Sequence, residues 1–301
     1  MRRERAAWVA LSAVRGLGPA RFRRLLEEFG SGLGALEASA GELTERAGLP
    51  EEAAAEAAGI GARLEVVEEE IGQLGEQGVR PFIWLDSGYP AHLRASSSAP
   101  PVLWWAGEME PDSAPGVAVV GSREVSEEGL AWARAAACGL AEAGVVVISG
   151  LAAGVDAAAH EGAMEAGGLT LGVCGCGVLT ALSRGRGGLA GRVVESGALC
   201  SELRPTAPLV TQALYARNRI IAGLAEAVVV VEARAEGGAV HTAKCALEEG
   251  TPVLAVRWPE SRGGGNAQLL AEGARPVSDP EEVAALILGG ASPESRGMQP
   301  Q

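Results

Sequence analysis

Beyond residue 116 the chain alternates short, uninterrupted apolar runs with stretches whose apolar residues recur every three or four positions. The runs VAVVGS, VVVISG, LTLGVCGCG, ALCSEL, AVVVVEA and PVLAVRW predict six strands, and helix-like sequence follows each except the last. Runs of Val, Ile and Leu without polar alternation suit strands buried on both faces, so residues 117–290 predict a doubly wound, mostly parallel sheet in the α/β class. Residues 1–78 are rich in Ala, Leu and Glu at helical spacing and have no strand-like run, which predicts a small helical domain. Between the two, residues 79–116 are rich in Pro, Ser and Trp and read as a connecting segment. Its Trp84, Tyr89, Trp104 and Trp105 either pin it to a neighbouring core or offer rings for base stacking.

Within the helical part, LSAVRGLGPARFRRLLEEFG sets Gly16, Leu17, Gly18 and Pro19 between two helical patterns. That arrangement resembles a helix-hairpin-helix, whose glycine turn presents backbone N–H groups to a DNA phosphate, with Arg21, Arg23 and Arg24 close behind. The same glycines equally serve a plain helical hairpin that needs them only for its turn. Both readings stand at this point.

A chain of 301 residues, 48% hydrophobic with 43 glycines, has room for one large domain and a smaller one. It contains no apolar run of about 18 residues, and its N-terminus lacks a small-residue cleavage site, so the expectation is a cytoplasmic protein with no membrane contact. The five cysteines are an odd set scattered through apolar segments, which suits reduced, buried thiols. Cys174 and Cys176 have no second cluster to complete a metal site, so no metal is expected. A net charge of −13 argues against a surface coated in nucleic acid, but residues 184–219 hold six arginines against only Glu195 and Glu202.

In a doubly wound sheet the ligand sits at the C-terminal strand ends. Those ends carry Gly121, Ser122 and Arg123 after the first predicted strand, Ser149 and Gly150 after the second, Gly175 to Gly177 after the third, Glu202 to Arg204 after the fourth, and Gly237 and Gly238 after the fifth. The spacing is not G-x-G-x-x-G and no Walker lysine follows either turn, so neither a nicotinamide cofactor nor a P-loop nucleotide is expected, and no other cofactor is implied. Small residues, N–H groups and arginine forks suit a phosphate outside such cofactors. Arg217 and Arg219 either line that pocket or pair with Asp156 and Glu202. Asp156 and His160, at i and i+4, form a structural clamp or an acid/base pair; without a nucleophile beside them the clamp is the expectation.

In order along the chain, VAVVGSR, SGLAAGVDAAAH, GALCSE, ARNRIIAGLAEAVVVVEA and TAKCALEEGTPVLAV resemble the DNA-processing protein A (DprA/Smf) family over roughly residues 81–274. The helical hairpin resembles the N-terminal helix-hairpin-helix (SAM-like) domain of many members. The resemblance implies an extended Rossmann-like domain that binds single-stranded DNA without cutting it, forms a homodimer through its C-terminal part, and loads the RecA recombinase during natural transformation. By position, it places the DNA phosphate on Gly121, Ser122, Arg123, Ser149, Gly150, Arg217, Asn218 and Arg219, with Gly237, Gly238 and Lys244 as further contacts.

Two departures stand out. The family's Tyr-Pro pair after the third strand is replaced by a stretch containing Arg184 and Arg186, which implies weaker base contacts compensated by backbone electrostatics. The family's Ser-Gly after the fifth strand is Gly237-Gly238. Residues 291–301 are too short and polar for the winged helix of many relatives and read as a disordered tail. A rival reading is a phosphoribohydrolase-like nucleotide-processing enzyme on the same superfold, of which Glu236 to Thr242 is a partial echo.

Overall fold

The computed structural model describes residues 1–183, 185, 187–259 and 264–289; Arg184, Arg186 and the 291–301 tail lie outside them. Among the described residues nine strands form one sheet: β1 Val79–Ile83, β2 Val102–Ala106, β3 Gly116–Val120, β4 Val146–Ser149, β5 Thr170–Val173, β6 Gly197–Ser201, β7 Ala227–Val230, β8 Val253–Val256 and β9 Arg275–Val277. Their order is β1-β2-β6-β5-β4-β3-β7-β8-β9. All pairings from β6 to β9 are parallel, while β2 runs antiparallel to both of its neighbours. The six strands predicted from apolar runs are β3 to β8, and the fold is Rossmann-like.

The 79–116 segment differs from its sequence reading. It supplies β1 and β2 to the sheet edge instead of only bridging two domains. Pro81 and the Pro100-Pro101 pair hid these strands, because proline withholds an N–H from a ladder and is tolerated mainly at edges, where β1 lies. Tyr89, Trp104 and Trp105 are buried, Tyr89 donating from its hydroxyl to the Pro100 carbonyl at 2.8 Å and Trp105 donating to the Met109 carbonyl at 2.8 Å. They anchor the segment and are not available for stacking.

Side chains of β3 show how the layers form. Val117 and Val119 face the helices Glu127–Glu142 and Val155–Glu165, while Ala118 and Val120 face the layer containing Asn218–Leu224 and Gly238–Glu248. The N-terminal helices pack on the sheet through a core that includes Val79, Ile83, Val102 and Trp104. Trp8, Phe22 and Trp84 meet there with ring centroids 4.9 to 5.7 Å apart. The guanidinium of Arg23 lies 5.1 Å from the Trp84 ring and donates to the carbonyls of Ser96 and Ser97. Arg21 donates to the Gly16 carbonyl and Arg24 to that of Arg46, so the arginines of the helical hairpin are engaged in holding the fold.

Asn266 secures the β7 and β8 ends and was not legible from sequence. It is 1% exposed, accepts from Ala233 N at 2.8 Å and donates through Nδ2 to the carbonyls of Val230, Val231 and Val256. Asn266→Asp keeps the shape but turns three donations into carboxylate-to-carbonyl repulsion, so the urea midpoint should fall by the equivalent of about 3 kcal/mol or more at pH 7. A midpoint within error of the wild type refutes this role.

Candidate functional site

Strands β3 and β7 are neighbours, yet their chains continue to helices on opposite faces of the sheet. Such a reversal opens a crevice above the strand ends. Here it is a cleft of about 570 Å³ whose lining includes Gly121, Ser122, Arg123, Asp156, Arg217, Asn218, Gly237 and Gly238. Five of the eight residues expected to grip phosphate, together with both glycines of the second turn, therefore meet in one place.

Close backbone approach explains the glycines. A Cβ on Gly121 would lie 2.4 Å from Val155 Cγ2, and one on Gly154 would lie 2.3 Å from the Ser122 carbonyl, where φ is also +86°. These contacts let Val155 N donate to the Ser122 carbonyl at 3.2 Å while Ser122 N donates to the Glu232 carbonyl at 2.7 Å. The loop after β3 is thus held between the start of the Val155–Glu165 helix, which follows β4, and the end of β7. Across the cleft, Gly238–Glu248 begins without a side-chain cap, and Asn218 Nδ2 donates to the Gly238 carbonyl at 3.1 Å.

Arg217 is the unusual group. It is 6% exposed, it pairs with Asp156 with Nη2 to Oδ2 at 3.8 Å, and Nε and Nη1 have no hydrogen-bond partner among the described residues. Burial pushes the Asp156 carboxyl up, and the attraction of Arg217 only partly offsets this. An under-paired buried guanidinium in a glycine-lined cleft has donors to offer an anion. Arg123 is exposed at the same cleft and forms no hydrogen bond or ion pair with the described residues.

Other expected positions differ. Ser149 is fully buried and donates its hydroxyl to the Val119 carbonyl at 2.6 Å, so that hydroxyl does not face the cleft. Gly150 instead makes room for Arg217: a Cβ there would lie 2.1 Å from Nη1 and 2.4 Å from Asp156 Oδ2. Arg219 takes the ion-pair alternative, with Glu202 at 2.6 Å, and Lys244 pairs with Glu272 at 3.5 Å, both away from the cleft lining. Asp156 lines the cleft and His160 is buried behind it, and the two do not clamp each other. His160 Nε2 donates to the Gly150 carbonyl at 2.6 Å and Nδ1 lies 2.7 Å from the Thr170 hydroxyl, leaving neither nitrogen for Asp156. Thr211, Tyr215 and Arg234 also line the cleft and were missed. Tyr215 stands two residues before Arg217, a proximity that marked it in the sequence.

The family described as DNA recombination-mediator protein A matches residues 81–287, and that described as DprA-like N-terminal HHH domain matches residues 2–66. Protein Smf of Escherichia coli is 39% identical over 198 residues, which are 65% of this chain and 53% of that protein. The DNA processing protein DprA of Streptococcus pneumoniae is 35% identical over 206 residues, covering 68% of this chain and 73% of that one. The chain thus spans about half the length of the E. coli relative. The X-ray structure of DNA processing protein A from Streptococcus pneumoniae superposes with a TM-score of 0.74 at 29% identity, covering 94% of this chain and 98% of that one. A structure of Helicobacter pylori DNA processing protein A, whose description concerns its single-stranded DNA binding mode, shares the fold with a TM-score of 0.61 at 20% identity, covering 71% and 97%.

The His160 contacts generate a pH dependence. Burial first, and Arg217 second, lower its pKa from 6.5 to about 4 against the opposing Gly150 hydrogen bond. The unfolded chain then binds a proton below pH 6.5 that the native ring refuses, so this stability is present above that pH and lost as pH falls toward 4. Asp156, raised in the fold, acts in the opposite direction. Between pH 7 and pH 5 the wild type should lose about 2 kcal/mol more than His160→Asn in urea titrations. Parallel pH profiles for the two proteins refute the assignment.

Proposed function

The chain belongs to the DNA recombination-mediator protein A family, and from that premise we propose that its cleft holds the sugar-phosphate backbone of single-stranded DNA without breaking it. The observation that carries the proposal is Arg217, a buried guanidinium with Nε and Nη1 unpartnered beside the exposed Arg123. A bound phosphate oxygen supplies the acceptor that Asp156, at 3.8 Å, gives only poorly. The Gly238 helix start adds N–H groups and the positive end of a helix dipole to the same cleft. The single-stranded DNA binding named for the Helicobacter pylori protein supports the choice of ligand.

Binding without cleavage is supported by His160, a fully buried ring with both nitrogens engaged, at the Gly150 carbonyl and the Thr170 hydroxyl, and so held away from a bound strand. Delivery of the bound strand to the RecA recombinase in natural transformation, a cytoplasmic location, and pairing of two copies through the C-terminal part of the sheet belong to the same proposal and rest on the family alone.

Arg123→Ala should weaken binding of a single-stranded oligonucleotide by about 1 to 3 kcal/mol and make the plot of log affinity against log salt shallower by roughly 0.7. Unchanged affinity and slope in the folded variant overturn the phosphate assignment. Gly150→Ala, whose methyl would overlap the Arg217 guanidinium at 2.1 Å, should reduce affinity as Arg217→Ala does although it removes no charge. Full binding by a folded Gly150→Ala protein shows that the position of Arg217 is immaterial.

A further inference from the structure

The charged and polar lining of the cleft accounts for phosphate but leaves one side unexplained. Tyr215 lines it and is 50% exposed, and it is the one exposed Phe, Trp or Tyr among the described residues. Leu209 and Val210, just before the same short helix, are 49% and 46% exposed. His241, outside the cleft lining, packs on the Tyr215 ring with centroids 6.3 Å apart and planes tilted by 40°. The ring therefore has neighbour support while still meeting the cleft. An aromatic ring held open to solvent in a fold that covers its other aromatics marks a contact surface.

We infer that Tyr215 is a nucleobase-stacking site, placed so that a base lies on its ring while the adjoining phosphate meets Arg123 and Arg217. The inference rests on the proposed DNA reading and adds the base to it. Nucleobases fit because they are flat, have a π-face whatever their identity, and arrive covalently joined to the anion that the rest of the cleft is suited to hold. Tyr215 and Arg217 are separated by one residue at the join between the Thr211–Ala216 and Asn218–Leu224 helices, and both line the same cleft. One segment thus presents an apolar ring and a guanidinium to one nucleotide. Because stacking discriminates weakly among bases, the site favours single strands over abasic backbone without reading sequence. It also replaces, from a different element, the aromatic support missing after β5, so the expectation of weakened base contacts does not follow from that loss.

The test compares a short oligothymidylate with an abasic strand of equal length, using the full chain. The wild type should prefer the base-bearing strand. Tyr215→Ala should weaken oligothymidylate binding by roughly five- to a hundredfold, leave abasic binding unchanged, and so abolish the preference. Tyr215→Phe should retain it, and Tyr215→Leu, apolar but without a π-face, should lose it. Arg123→Ala should weaken both strands. If Tyr215→Ala weakens both strands alike, or keeps the preference, the stacking site is overturned while the phosphate cleft stands. If the wild type binds neither strand, the DNA reading fails and takes this inference with it.

Discussion

The divergence of β3 and β7 is the constraint on which the site depends. Their pairing runs past the strands themselves, with Val231 N donating to the Val120 carbonyl at 3.0 Å and Ser122 N to that of Glu232 at 2.7 Å. Beyond that point the chains turn to opposite faces, and no backbone partner remains between them. A parallel sheet with helices on both faces has such a gap wherever its winding reverses. Here Gly121 and Gly154 allow the Val155–Glu165 helix to come against the β3 loop, and the Asn266 side chain ties the β7 and β8 ends together through their backbone carbonyls. The β3 wall of the cleft is therefore set by main-chain contacts, and the β7 wall by an Asn266 side chain that lies outside the cleft lining.

Arg217 shows what that arrangement costs. Side chains with two buried, unpartnered donors destabilise a fold by about 1 to 3 kcal/mol per unsatisfied group, and a carboxylate at 3.8 Å recovers only part of this. The direction of the Asp156 shift carries the same message: in a tight ion pair the guanidinium would hold the carboxyl down, whereas here loss of solvent is the larger effect. Space for this loosely paired group exists because residue 150 is glycine. The local structure thus places a guanidinium that is not fully paired by the described residues, and the proposed reading gives its donors a phosphate.

How much of this was legible in the sequence depends on range. Strands β3 to β8 announced themselves because burial on both faces requires unbroken apolar runs, a local signal. β1, β2 and β9 did not: β1 contains Pro81, β2 sits among prolines, and β9 has only three residues, so their pairing is a tertiary outcome. At the candidate site, the place of Gly121, Ser122, Arg123 and the Gly237-Gly238 turn at one cleft followed from their position at strand ends, whereas Asn218, at the start of a helix, came only from the family resemblance. Ser149 looked equivalent to Ser122 but is the last residue of its strand, whereas Ser122 stands two residues past the end of β3; inside the sheet the Ser149 hydroxyl donates to the Val119 carbonyl. The i, i+4 spacing of Asp156 and His160 was real, yet Thr170 and Gly150, on other elements, outcompeted Asp156 for the ring. Partners distant in sequence decide such cases.

Charge has the same long-range character. The arginine-rich 184–219 window suggested a basic surface, but its described arginines each find an acid: Arg192 pairs with Glu161, Arg204 with Glu70, Arg219 with Glu202, and Arg217 loosely with Asp156. Three of those acids, Glu70, Asp156 and Glu161, come from helices far away in the chain. What distinguishes the cleft is therefore the state of pairing and not a local surplus of arginine. Exposed pairs such as Arg192 with Glu161 and Arg204 with Glu70 contribute little to stability, so under the proposed reading a polyanion exchanges with their acids at small cost. Arg123 and Arg217 need less exchange, since one is unpaired and the other under-paired. The proposed phosphate contact is compatible with an acidic chain: repulsion from its net −13 charge is screened over about 10 Å at ordinary salt, while contacts inside the cleft would act at hydrogen-bond distance.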